Sequence, residues 1–129
     1  MVAPPLVERD IRDGETLVLR LDKDRFPVAS AFWYFDAEKE KWTFIIASRI
    51  VLSDGPREAY RKLIQSIKRI RKSGYELDSF RVELVKEENQ LPSLLKRAVQ
   101  TGPGIAGIRL TQNTINGLFV EDAYIYRLT

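Results

Sequence analysis

Histidine and cysteine, the side chains that most often do chemistry near neutral pH, are both missing from these 129 residues. Their absence removes the imidazole base, the triads that activate serine or cysteine, and metal sites built on thiolate or imidazole. Carboxylate, lysine, tyrosine and hydroxyl chemistry remain, as does binding without catalysis.

The surviving motifs fail on spacing or context. Gly102-Pro103-Gly104-Ile105-Ala106-Gly107 matches G-x-G-x-x-G. The phosphate-binding form of that motif follows a strand and opens a helix, whereas here a helix precedes and a strand follows; Pro103 also removes an N–H donor. Glu83 and Lys86 are three residues apart, which in a regular strand sends them to opposite faces and breaks the Glu-x-Lys pattern of carboxylate nucleases. Asp36, Glu38 and Glu40 alternate in one turn but lack the ligand number of a calcium loop, and Lys39 and Lys41 offset their charge. A carboxylate-dependent metal enzyme would need Asp78, Glu83, Glu121 and Asp122 to converge in a cleft. No catalytic residue, metal ligand or cofactor is assigned.

Charge is the one feature that departs from the average. Residues 57–72 carry Arg57, Arg61, Lys62, Lys68, Arg69, Arg71 and Lys72 against Glu58 alone, a net of +6, while the rest of the chain holds 14 basic and 17 acidic residues, a net of −3. At 100° per residue, Ala59, Tyr60, Leu63, Ile64, Ile67 and Ile70 gather on an apolar arc that should pack on a sheet, and Arg57, Arg61, Lys68 and Lys72 form a ridge outside it. Like charges four apart weaken a helix, and a merely solvated helix usually interleaves acids with its bases. Arg57, Arg61, Lys62, Lys68, Arg69 and Lys72 are therefore the candidate polyanion-binding residues, with nucleic acid or an acidic protein as the partner; the alternative is a solvated basic face neutralised by acids elsewhere in the fold. No aromatic residue interrupts the ridge, so backbone phosphate rather than stacked bases is the expected target. A membrane surface is excluded as a partner because the apolar arc is needed for the core.

The elements that must position this helix follow from periodicity. Residues 6–24 fit either a helical stripe or an alternating strand; helix is favoured despite Gly14, which costs about 1 kcal/mol relative to alanine in a helix interior. Residues 28–35 and 42–50, rich in branched and aromatic side chains, predict a β-hairpin that is apolar on both faces and so covered on both sides. Ser53-Asp54-Gly55-Pro56 supplies cap candidates and an early proline for helix 57–72, and Ser73-Gly74 ends it. A half-exposed strand is expected over 80–84 and a short helix over 91–101. A final hairpin of 105–111 and 118–128 turns at Asn116-Gly117. The fold class is α+β: a single domain, 1–129, with a five-stranded mixed or mainly antiparallel sheet and three helices in the order α-β-β-α-β-α-β-β.

If helices cover only one face of that sheet, Trp33, Phe35, Trp42, Tyr124 and Tyr126 would form an exposed interface. That gives a second reading, a structural or regulatory subunit that buries this face in a homo-oligomer or partner. The N-terminal segment lacks the apolar run of a secretory signal and no stretch reaches the length of a membrane span, so a cytoplasmic protein is expected.

Overall fold

The structure, a computed structural model, describes residues 4–129; residues 1–3, the start of the segment read as lacking a secretory signal, lie outside it. The ambiguous first segment is helix α1 (Glu8–Lys23). Strands β1 (Ser30–Asp36) and β2 (Lys41–Ser48) form the aromatic hairpin, with Phe35 opposite Trp42 and Trp33 opposite Phe44. The Asp36 carboxylate accepts N–H bonds from Glu38 and Lys39, so this acid is spent on shaping the turn. Strand β2 stops two residues short of the expected Ile50 because the Ser48 hydroxyl accepts the Ile50 N–H, and one further helical turn, α2 (Ile50–Ser53), forms instead.

Helix α3 (Pro56–Lys72) begins with Pro56 in its first turn, where a missing N–H costs nothing. Its N-cap is Gly55, at φ 87°, and neither Ser53 nor Asp54 caps it through a side chain, which corrects that expectation. A single 3₁₀ turn (Ser79–Arg81), started by the Asp78 carboxylate accepting the Phe80 N–H, leads into β3 (Val82–Lys86). Helix α4 (Gln90–Leu95) is shorter than the expected 91–101 because Thr101 is drawn to the end of the last strand: its N–H donates to the Leu128 carbonyl and its hydroxyl accepts the Leu128 N–H.

The last hairpin pairs β4 (Ile108–Ile115) with β5 (Leu118–Leu128), turning at Asn116 and Gly117 with φ of 47° and 83°. Two successive positive φ values define the type I′ turn that Asn-Gly favours. The expected strand 105–111 is displaced toward the turn. Its first residues leave the sheet, with the Ala106 N–H donating to the Tyr126 carbonyl, while the strand continues through Gln112, at φ 45°.

The five strands form one sheet in the order β3-β2-β1-β5-β4, antiparallel except where β3 runs parallel to β2. That parallel pair needs a crossover, and α3 supplies it. The architecture is the α+β fold expected, with four helices rather than three. Both faces are covered. On one, Trp33, Phe35, Phe44, Ile46 and Tyr126 pack beneath α1 and α3; on the other, Phe32, Ile45, Val120 and Ile125 pack with Leu95 of α4.

This arrangement corrects the interface expectation. Trp33, Phe35, Trp42 and Tyr126 are core residues, none more than 8% exposed, and Tyr124 is half-buried against them. The chain's own helices occupy the face that a partner would have needed. The indole of Trp33 donates to the Asp10 carbonyl at 3.1 Å and the phenol of Tyr126 to the Ile11 carbonyl at 2.5 Å, so two rings of the sheet are bonded to the backbone of α1. Burial pushes the Tyr126 phenol well above its ordinary pKa and keeps it a donor. Gly14 makes this approach feasible: a methyl group there would lie inside contact distance of the Tyr126 hydroxyl and 2.8 Å from the Trp33 nitrogen.

A second tie joins the chain ends. Arg127, 4% exposed, makes a bidentate pair with Asp22 at 2.8 and 2.9 Å and donates to the Gly104 carbonyl at 3.2 Å. One side chain thereby locks β5, the end of α1 and the glycine loop together.

Candidate functional site

Helix α3 sits with Ala59, Leu63, Ser66, Ile67 and Ile70 against the sheet and α1. These residues centre on the side opposite Arg57, Arg61, Lys68 and Lys72, all of which are exposed. Tyr60 and Ile64, assigned to the apolar arc by periodicity, instead lie at its margin with about a third of their surface exposed. The Tyr60 hydroxyl accepts the Leu84 N–H at 3.0 Å and donates to the Leu84 carbonyl at 3.4 Å. That ring therefore blunts the open edge of β3, a place where unpaired backbone groups would otherwise invite another strand.

The six candidate cations separate into a ridge and a flank. On the ridge, Arg61 is paired within the helix to Glu58, with one bond of 2.8 Å, whereas Arg57, Lys68 and Lys72 have no carboxylate within 4.0 Å among the described residues. On the flank, Lys62 pairs with Asp54 at 2.7 Å and Arg69 with Asp24 at 2.8 Å. The seventh basic residue, Arg71, donates to the Leu77 carbonyl at 3.2 Å. Three acids therefore offset three of the seven bases, and the uncompensated charge is concentrated on the outward ridge.

Asp24 is the most constrained of the three acids. It closes α1, and its side chain, 13% exposed, accepts from the Ser66 hydroxyl at 2.7 Å and pairs with both Arg20 and Arg69. Burial works to raise the Asp24 pKa, but the hydrogen bonds from Ser66, Arg20 and Arg69 outweigh it and hold the carboxyl at about 2. Because the folded pKa lies below the ordinary 3.8, this contribution to stability is complete above about pH 5 and fades as pH falls from 4 toward 2. A loss of about 2 kcal/mol is expected over that window. Urea midpoints compared across it should fall less steeply in Asp24→Asn than in the parent chain.

Around Asp24 lies a recess of 280 Å³ between the end of α1 and α3, lined by Asp24, Arg25, Arg61, Lys62, Ser66 and Arg69. Sequence reasoning missed Arg25. It follows the C-cap of α1 at φ 62°, with the next N–H, that of Phe26, bonded back to the Leu21 carbonyl at 2.9 Å. Glycine is the usual occupant of that left-handed position. The sequence signal was faint, since Phe26-Pro27 marks where the helix stops but not the conformation of the residue before it.

The acids that a metal enzyme would require do not assemble. Glu83 is on β3 and Asp122 on β5, three strand spacings apart, or about 14 Å. Asp122 is held in a bidentate pair by Arg109, at 2.6 Å for each bond. Among the described residues no three acids are grouped so as to hold a metal ion. The glycine loop lies in irregular chain ahead of β4 and opens no helix.

Fold and site together define an α+β domain with a basic crossover helix laid over one sheet face. Comparisons with protein-family models, curated proteins and solved structures give no match for the chain. No helix among the described residues is long and apolar enough to cross a membrane.

Proposed function

We propose that this chain is a non-catalytic, cytoplasmic binding protein that lays α3 along the phosphate backbone of a nucleic acid. The observation that carries the reading is the trio Arg57, Lys68 and Lys72. These cations are exposed, free of carboxylate partners among the described residues, and aligned opposite the buried side of a helix bearing +6. From Arg57 to Lys72 the ridge spans about 22 Å of helix axis, long enough to meet several phosphates. Such contacts give affinity with little base specificity. A double strand suits the ridge better than a single strand, because the one aromatic ring that α3 itself carries, Tyr60, is committed to the β3 edge rather than offered to bases. The cytoplasmic assignment rests on the lack of cysteine for any disulfide.

The test is the salt dependence of binding to short duplexes of unrelated sequence. With three to four phosphates neutralised, log K should fall against log salt with a slope of about −3, the same for every sequence. An acidic protein as the true partner would appear as binding to acidic polypeptides with none to duplex. That result, or duplex binding indifferent to salt, would overturn the proposal.

A further inference from the structure

The ridge does not account for the recess beside it. Its walls carry Arg25, Arg61, Lys62 and Arg69, and its floor is closed by Ser66, Phe26 and Ile50, none more than 8% exposed. A recess with a buried floor cannot be threaded by a continuous strand, and a strand end, free to turn inward, reaches into it more readily than a backbone crossing its mouth. We infer that this recess is a phosphate subsite that takes the terminal phosphomonoester of a nucleic-acid strand docked on α3. The inference rests on the reading of α3 proposed above.

Three features favour a terminal phosphate. A monoester carries close to two negative charges at neutral pH and three acceptor oxygens, against one charge for an internal diester, so it gains most from a cluster of guanidinium and ammonium donors. The acids within reach are already outnumbered: Asp24 on the floor is matched by both Arg20 and Arg69. At the rim, the pairs Arg61–Glu58 and Lys62–Asp54 have all four side chains between 30% and 54% exposed, where an ion pair is weakly held and a dianion can compete for the cation.

Arg25 supplies the independent argument. It has no carboxylate within 4.0 Å among the described residues, and it occupies a left-handed backbone position that disfavours any side chain. Glycine there would relieve the backbone. An arginine held in that conformation at the mouth of a basic recess is strain located where a ligand would use it.

The experiment measures binding of the full chain to one duplex sequence prepared with 5′-phosphate, 3′-phosphate or hydroxyl ends, with and without competing inorganic phosphate. One phosphorylated end should raise affinity about tenfold over the hydroxyl-ended duplex. That gain should disappear in Arg25→Gly, while the melting temperature of the variant rises and its affinity for the hydroxyl-ended duplex is retained. Equal affinity for all three duplexes overturns the subsite and leaves the ridge intact; failure to bind any duplex overturns both. If free phosphate protects the fold but strand ends make no difference, the recess is a site for the free anion and the strand-end assignment is wrong.

Discussion

Gly14→Ala should destabilise the protein by about 1–2 kcal/mol net, although the same change in an open helix stabilises by about 1 kcal/mol. The reversal comes from what lies over the glycine. Trp33 and Tyr126 reach past it to the Asp10 and Ile11 carbonyls respectively, and a methyl group at position 14 would lie 2.8 Å from the indole nitrogen and 2.9 Å from Tyr126 Cζ. One ring, Phe44, stacks on Trp33 at 5.0 Å and meets Tyr126 edge-on at 5.6 Å, and so restricts how both can retreat. Either α1 lifts off the sheet, losing two hydrogen bonds worth about 1 kcal/mol each, or the core accepts a strain of about 1–3 kcal/mol. Urea unfolding should show a lower midpoint with an unchanged slope. Tyr126→Phe, which removes the nearest atom, should recover part of the loss when combined with Gly14→Ala; additive losses would place the cause elsewhere. A neutral Gly14→Ala would contradict the packing described.

Gly14 also shows why parts of this fold were legible in the sequence and others were not. Read locally, a glycine in the middle of residues 8–23 argues against a helix; its justification lies on β1 and β5, more than a dozen and more than a hundred residues away. Helix α3 was legible because its signals are local: Pro56 in the first turn, Ser73-Gly74 at the end and an apolar repeat between them. The aromatic hairpin was legible as strands, since period-2 alternation decides which rings share a face. It could not say that α1 and α3 would cover the face bearing Trp33, Trp42 and Tyr126. The parallel pairing of β3 with β2 follows from where the crossover helix packs, which no local pattern encodes. Ile105 leaves the last hairpin to pack against the helical core, a long-range contact that local alternation does not reveal.

The candidate site divides in the same way. The outward direction of Arg57, Arg61, Lys68 and Lys72 follows from helical periodicity alone. The partners that neutralise the flank do not: Asp24 meets Arg69 across 45 positions, and Asp54 meets Lys62 across eight. Arg25 was invisible because its left-handed backbone conformation arises only where α1 ends, one residue past Asp24.

The second large effect concerns the ridge. Replacing Arg57, Lys68 and Lys72 together by glutamate changes the charge of α3 from +6 to zero and touches no buried side chain and no ion pair. Surface substitutions of this kind ordinarily alter stability by no more than about 0.5 kcal/mol each, so the fold should persist. Phosphate contacts, by contrast, should become repulsions, and the counterion release that drives binding should vanish. Removing three such contacts is expected to cost at least about 100-fold in affinity at moderate salt, with the salt slope falling from about −3 toward zero. Reversal of the flank residues Lys62 and Arg69 would be harder to interpret, since each also releases a carboxylate that the fold has paired.

The most direct measurement is therefore a duplex titration of the parent chain and of the Arg57→Glu, Lys68→Glu, Lys72→Glu triple variant side by side, with unfolding curves recorded on both. Binding in the parent, its loss in the triple variant and matching unfolding midpoints are the predicted result; equal duplex affinity in two equally folded proteins would contradict it.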